Sequence, residues 1–453
     1  MSVASDSRID LRTGPAEPTT RPIPPPEERP TALIDPARYT SAEFAKREFA
    51  AVFMHSWNLT CRDQDIPDVG DYIEYELGDQ SVLVVRVDDD TVKGYYNACL
   101  HRGMQLRKGS GTTTELRCGY HSWCWNLDGS IKEVVDPYEY HPSLVTPEAL
   151  QLPEVRVETW GGFYFVNFDD DAPSLLQHLG PLVEALAPFK LENMVYKSHR
   201  KVVLPVNWKT VVDNFGETYH IPTVHPQSLP YADDVNEIVD NVGDHTIMRV
   251  PVMQQSRRLI NPVDQMTQLE SMLDVLIDFE LIDEGEREIL EDLQASMADD
   301  PEPDMIRKAL VEYRREKAIK LGVPDLTDEQ FLEDWDVNIF PNIEINILFD
   351  QLFGYAVHPH ATDPESCVFE IISLTLPKPG EPLPRYEREV IDDWKTYPWN
   401  GVLLQDLSIF EGAQRGLHSR RFPGLRFATY RERGLRHTHA VIDRWLEEYE
   451  SRT

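Results

Sequence analysis

The sequence predicts an α+β fold in which a small all-β domain precedes a larger domain built from an antiparallel sheet packed by helices. Three observations carry this expectation. Short β-branched and aromatic runs separated by Gly, Asp and Pro turns fill residues 60 to 170. Apolar residues at three-to-four spacing follow between 265 and 320, and strand patterns return from 343 to 376 before two closing helices. A chain of 453 residues exceeds one average domain, so two domains sharing an interface are expected and core size is not limiting.

Residues 1–35 are rich in Pro, Glu, Thr and Arg, with Pro22 and the run Pro24-Pro25-Pro26, and predict a disordered or wrapping N-terminal arm. Residues 36–58 are expected to form an N-terminal helix on the larger domain, because Phe44, Phe49, Phe53 and Trp57 recur at helical spacing. The small β domain spans 59–170, with strands over 72–77, 81–87, 92–97 and 162–168. The larger domain takes 171–453. Within it, 200–230 reads as helical up to a proline-rich loop. Residues 265–330 read as a helical insertion, with Leu269, Met272, Leu273, Leu276 and Phe279 on one face. Strands are predicted over 343–349, 352–357 and 368–376, with Asp350-Gln351 as the hairpin turn. Helices over 397–418 and 434–449 close the chain, and no internal repeat is evident.

A formal net charge of -34, from 44 Lys+Arg against 78 Asp+Glu, argues against nucleic acid or an anionic membrane surface as a partner. No apolar run reaches bilayer length and the N-terminus lacks a signal-peptide pattern, so a cytoplasmic protein is expected. The five cysteines Cys61, Cys99, Cys118, Cys124 and Cys367 are an odd number, which favours metal ligation over a disulfide framework.

Two clips stand out. Cys99-Leu-His101-Arg-Gly is followed by Cys118-Gly-Tyr-His121-Ser-Trp, with 16 residues between His101 and Cys118. Two thiolates and two imidazoles suit an unsymmetrical 2Fe-2S cluster, with both cysteines on one iron and both histidines on the other. A Cys2His2 zinc site would use the same ligands, but it usually groups its cysteines on one clip and its histidines on the other.

The second signal runs from Asn207-Trp-Lys through Asp213 and Glu217 to His220-Ile-Pro-Thr-Val-His225-Pro. Histidines five apart diverge by about 140° on a regular helix, so both reach one ion only if the helix ends between them, and Pro222 is the expected break. Glu217 and His220, three apart, share a face. Two imidazoles and a carboxylate on one side of an ion suit non-haem Fe(II) with positions left open. In 397–418, the stripe of Leu403, Asp406, Phe410, Ala413 and Leu417 sets Asp406 among apolar residues, where an ionised carboxylate needs compensation. Taken singly, His220 and His225 also read as hydrogen-bonded core histidines, and Asp406 as a helix acid favoured by the dipole.

Taken together, Cys-x-His-Arg-Gly and Cys-x-x-His-x-Trp resemble the Rieske motif of ring-hydroxylating and related oxygenases. The likeness extends to Gly129 and departs at Ser122, where Gly is common, and at Trp125, where Phe or Tyr is usual. No cysteine stands at Met104, Gly119 or Tyr120 for the extra disulfide of respiratory Rieske proteins, and Cys124 reads as a core residue. The 207–225 segment with Asp406 resembles the mononuclear centre of the α subunits.

The resemblance implies a helix-grip-like catalytic domain, a Rieske 2Fe-2S cluster on Cys99, His101, Cys118 and His121, and mononuclear Fe(II) on His220, His225 and Asp406. It implies Glu217 as an inter-subunit electron-transfer bridge to a neighbouring His121. Glu in place of the more usual Asp recurs in the branch acting on quaternary ammonium compounds. Implied partners are a small organic substrate, O2, and a ferredoxin or flavin reductase drawing on NAD(P)H. The implied assembly is a homotrimer, compatible with an added β subunit.

Ring dihydroxylation of an aromatic substrate is the leading expectation. A monooxygenase or demethylase acting on a quaternary ammonium or alkoxy group is the first alternative, to be told apart by an aromatic cage near the iron. A pure electron carrier with a vestigial second site is the second.

Overall fold

The computed structural model describes residues 11–279, 281–296, 304–323, 326–378, 380 and 386–452; the start of the arm and short stretches of the 265–330 insertion lie outside them. Among the described residues, no helix is long and apolar enough to cross a membrane.

The N-terminal β region is a seven-stranded sheet in the order Asn58–Arg62, Phe163–Asn167, Glu154–Trp160, Val92–Tyr96, Gln80–Arg86, Asp71–Leu77, Ser110–Thr112. A three-stranded ribbon, Leu116–Arg117, Cys124–Trp125 and Ile131–Glu133, lies beside it. The run Val82-Leu-Val-Val85 is apolar throughout because both of its faces are buried. Leu83 and Val85 join Cys99, Cys118, Trp123 and Trp125 in a small core, while Val82 and Val84 face the main core of the catalytic region. One strand thus carries the cluster loops on one side and docks them to the second domain with the other.

The sheet of the larger domain has eight strands in the order Ile238–Val242, His245–Val250, Asp334–Ile339, Ile343–Leu348, Gln351–Pro359, Cys367–Thr375, Val195–Leu204, Glu389–Ile391. All pairings are antiparallel except the last. Helix Gly401–Leu417 packs on Trp208–Phe215 and on Gln265–Asp278, and helix Arg433–Arg452 lies against the first two strands. The insertion supplies helices Gln265–Asp278, Glu284–Ser296 and Met305–Leu321, with a buried Arg314–Glu286 ion pair between the last two. Residues 11–35 run along this domain, bridging Thr13 to Leu259 and Ile34 to Leu425, with Arg21 paired to Asp240.

Several local expectations are corrected. The first part of 200–230 is the end of strand Val195–Leu204, and the helix begins only at Trp208. Lys197, Arg200 and Lys201 do not mark a helix here, because pairing on both edges overrides their propensity. The hairpin turn is Phe349-Asp350, with Phe349 at φ 57°, and Gln351 already pairs with Leu348. Helical structure in 40–58 ends with the π-helical turn Phe49–Phe53, and Asn58 opens a strand. On Gly401–Leu417 the buried residues are Val402, Leu403, Asp406, Leu407, Phe410 and Gln414; Ala413 is exposed.

Candidate iron centres

The two Cys/His clips form matching turns. The Cys99 amide donates to the Met104 carbonyl at 2.8 Å, and the Cys118 amide donates to the Trp123 carbonyl at 2.8 Å. Four residues after each cysteine the backbone is left-handed, at Gly103 (φ 74°) and Ser122 (φ 62°). A non-glycine residue there costs roughly 1–2 kcal/mol, so Ser122 carries strain that Gly103 avoids. Both thiols are buried, Cys99 at 4% and Cys118 at 2% exposed. Burial, with the neighbouring Cys118 thiol, pushes Cys99 up from the ordinary thiol range.

The His101 and His121 rings lie 4.6 Å apart, and His101 stacks on Trp123 at 4.9 Å. The buried Nδ1 atoms of both histidines have no hydrogen-bond partner. Burial, His121 and Arg102 push His101 down, toward the neutral form that ligates metal. Two orphaned imidazole nitrogens and two buried thiols fit a 2Fe-2S group with mixed ligands. All five cysteines are free, and Cys124 is fully buried, so the ribbon uses it as core.

At the second site, Asn207 caps helix Trp208–Phe215 by accepting the Lys209 amide, and the buried Lys209 ammonium pairs with Glu48 at 2.7 Å. The helix ends at Phe215, before either histidine. Pro222 is therefore not the break. It sits in the first turn of a one-turn helix, Ile221–Val224, with His220 at its N-cap and His225 at its C-cap. This turn brings the two rings to 5.1 Å. Asp406, 1% exposed, faces His225 Nε2 at 2.9 Å and His220 Nε2 at 3.6 Å. One ligand atom from each of the three lies within 4.8 Å of the others, a spacing that suits a single ion.

Each imidazole is oriented by its other nitrogen. His220 Nδ1 donates to Glu217 Oε1 at 2.8 Å, and His225 Nδ1 donates to Gln405 Oε1 at 2.8 Å. Asn214 Nδ2 donates to Asp406 Oδ1 at 3.0 Å. Burial alone would push His220 down, but the hydrogen bond and charge of Glu217, with Asp406 behind, raise it above its ordinary value. Glu217 Oε2 also accepts the amides of Tyr219 and His220. Sequence reasoning missed Gln405 and Asn214. The former is adjacent to Asp406, and the latter precedes His220 by six residues within the same segment.

A cavity of about 120 Å³ reaches the triad. Phe215, Tyr231, Phe279 and Tyr355 line it together with Asp334 and Asp336, and no Lys or Arg is among its described lining residues.

Residues 56–145 match the Rieske [2Fe-2S] domain, and residues 191–448 match the family described as ring hydroxylating alpha subunit (catalytic domain). The glycine betaine monooxygenase oxygenase subunit of Chromohalobacter salexigens is 31% identical over 187 residues, covering 40% of each chain. The Escherichia coli carnitine monooxygenase oxygenase subunit is 33% identical over 196 residues, covering 42% of this chain and 52% of its own. The large oxygenase component of a Burkholderia 2,4-dinitrotoluene dioxygenase system is 32% identical over 197 residues, covering 42% and 44%. The match thus spans about half or less of these relatives.

A quaternary ammonium Rieske monooxygenase in complex with L-carnitine has the same fold, with TM-score 0.64 at 19% identity over 91% of this chain and 95% of that one. A Rhodococcus naphthalene 1,2-dioxygenase bound to indole gives TM-score 0.60 at 19% identity over 91% and 94%.

Proposed function

The chain belongs to the ring-hydroxylating α-subunit family and carries a Rieske 2Fe-2S domain, and from that premise we propose that it is the terminal oxygenase of a quaternary ammonium monooxygenase system. In this reading, Cys99 and Cys118 hold one cluster iron, His101 and His121 hold the other through Nδ1, and His220, His225 and Asp406 hold the mononuclear iron. When bound, these groups supply single-electron delivery and dioxygen activation. The protein's own work is positioning. Glu217 and Gln405 fix the two imidazoles, Asn214 aims the Asp406 carboxylate, and Val250, Val252, Val275 and Val402 give the cavity its apolar part.

The observation that carries the substrate class is the cavity wall beside the triad. Aromatic faces and carboxylates surround a space with no described cationic lining residue, an environment that favours an ammonium head over a neutral arene. The relatives named for carnitine and glycine betaine support this choice, as does Glu at position 217. The leading expectation of ring dihydroxylation gives way accordingly. In the proposed reaction, one oxygen atom of O2 enters a C–H bond beside the ammonium nitrogen. The other leaves as water with two electrons and two protons, and the carbinol separates into aldehyde, amine and a proton.

Electrons come in this reading from a ferredoxin or flavin reductase using NAD(P)H. They cross between subunits of a head-to-tail homotrimer, which forms a closed heterologous ring. Exposed Tyr120 beside His121 and exposed Tyr219 beside Glu217 support this, since both ends of such a path then lie at the surface. The proposed boundaries remain an arm at 1–35, a helical segment at 36–58, the cluster domain at 59–170 and the catalytic domain at 171–453.

Oxygen uptake with a compatible reductase tests the proposal. Uptake stimulated by trimethylammonium compounds, with stoichiometric aldehyde, is expected. Stimulation by naphthalene with formation of a diol would restore ring dihydroxylation, and no uptake by an iron-replete protein with any substrate would favour the electron carrier.

A further inference from the structure

The inner face of the catalytic sheet carries a polar band at the cavity. On strand Asp334–Ile339, Asp334, Asp336 and Asn338 share one face, and on Ile343–Leu348 that face holds Glu344 and Asn346. Asp336 is opposite Asn346, and Asn338 is opposite Glu344. The next strand outward on each side adds apolar or aromatic neighbours, Met248 opposite Asp336 and Tyr355 opposite Glu344. The reverse face, with Val337, Ile339, Ile343, Ile345 and Ile347, is apolar core.

Asp336 and Glu344 are buried, Asp334 is half-buried, and all three have few partners. Asp336 is 7% exposed and Glu344 is 1% exposed. Asn346 donates to Asp334 Oδ2 at 3.4 Å, and Asn338 donates to Glu344 Oε1 at 2.6 Å. Asp334 Oδ1 and Glu344 Oε2 have no partner. The Tyr355 hydroxyl, on a side chain 1% exposed that lines the cavity, also has none. None of the three acids has a Lys or Arg ion-pair partner among the described residues.

Burial pushes Asp334 up to about 7 and Glu344 up to about 8, and burial together with Glu344 and Asp334 holds Asp336 well above the carboxylate range. Asp336 and Glu344 lie against each other, so together they retain a proton while the cavity lacks a cation. A cation entering the cavity would supply the missing counter-charge.

We propose that Asp334 and Asp336, backed by Glu344, anchor the head of a substrate that is a net cation, an alkylammonium with no carboxylate of its own inside the cavity. This rests on the reading that substrate occupies the space beside the triad. A betaine would bring a carboxylate toward Asp334 and Asp336, with Glu344 buried behind them and no described Lys or Arg lining residue to receive it, an arrangement that selects against it. Phe215 and Tyr355, stacked on each other at 4.0 Å, form part of the aromatic lining of the same cavity.

The test measures affinity calorimetrically on the iron-loaded holoenzyme for three probes of similar size: choline, its neutral carbon isostere 3,3-dimethylbutan-1-ol, and glycine betaine. Choline should bind at least about tenfold tighter than either of the others. Asp336→Asn and Asp334→Asn, near-isosteric changes whose folding is checked by cluster absorbance, should each cut the preference for choline over the isostere by about tenfold. Equal affinity for choline and the isostere, tighter binding of glycine betaine, or no binding of choline at millimolar concentration would overturn the anchor. Charge-selective choline binding by an enzyme that oxygenates only arenes would uphold the anchor while removing the proposed reaction, so the two failures are distinct.

Discussion

The cluster cage and the mononuclear site are built by opposite means. In the proposed cage, four candidate ligands come from two nearby loops of the same design, each closed by its own backbone hydrogen bond, and the two histidine Nδ1 atoms lack partners. At the triad, the candidate ligands come from a one-turn helix and from Gly401–Leu417, and side chains from two further positions fix the imidazoles. The cage is a local product of its loops. The triad exists only once Gly401–Leu417 has docked on Trp208–Phe215. Damage to one centre should therefore spare the other.

The largest expected effect breaks the triad alone. Asp406→Ala removes the only carboxylate of the three proposed ligands, and mononuclear iron and turnover should fall by more than about 100-fold. Cluster absorbance should persist. Metal analysis should drop from about three irons per chain to two; unchanged iron with full activity would take Asp406 out of the ligand set.

A second change addresses how the two centres communicate. Glu217→Gln keeps size and hydrogen-bonding capacity, so the fold, the proposed trimer and both proposed metal sites should survive. Electron delivery should slow by roughly 10–100-fold, the range seen when a supporting carboxylate is lost. Rapid-mixing re-oxidation of the reduced cluster reads this directly, and a wild-type rate would return Glu217 to the role of a local hydrogen-bond acceptor for His220.

These contrasts explain what was legible in the sequence. The Rieske domain was readable because Cys99, His101, Cys118 and His121 are rare types at short spacing, and the structure brings the two clips into matching turns. His220, His225 and Asp406 were readable only as a set, and the break assigned to Pro222 lies earlier because the chain leaves its helix at Phe215. The positions of the strands were partly legible. Strands Val195–Leu204, Ile238–Val242, His245–Val250 and Asp334–Ile339 were not, since charged and polar residues interrupt their apolar pattern.

The acidic band was hidden for a sharper reason. Asp334-Trp-Asp-Val-Asn338 and Ile343-Glu-Ile-Asn-Ile347 alternate like strands with one wet face. Only the fold shows that face turned inward, where Phe279 after helix Gln265–Asp278 packs on Phe353.

A pH series sharpens the comparison at this hidden region. Asp334 sits at about 7 and Glu344 at about 8, and both are neutral below those values. The charged groups acting on this cluster are the acids themselves and Asp213, with no cation among them. Ionisation creates the anchor, so KM for a cationic substrate should fall severalfold as pH rises from about 6 to about 8. A neutral competitor's inhibition constant should stay flat; a parallel change in both would assign the effect elsewhere.

The smallest expected effect lies in the cage. Ser122→Gly relieves the left-handed strain that Gly103 avoids in the matching loop. Thermal unfolding should show a gain of about 1 kcal/mol, with the cluster spectrum unchanged. A loss of stability would mean that the Ser122 side chain has a compensating role.

The central claim, that this two-centre chain oxygenates an ammonium substrate, is tested most directly by a single turnover. The fully reduced protein, holding cluster and mononuclear iron, is mixed with oxygenated buffer and choline, without reductase. The account predicts substrate-dependent bleaching of the reduced-cluster signal together with aldehyde approaching one equivalent per active site. Re-oxidation at the same slow rate with and without choline, and product only when naphthalene is supplied, would contradict it.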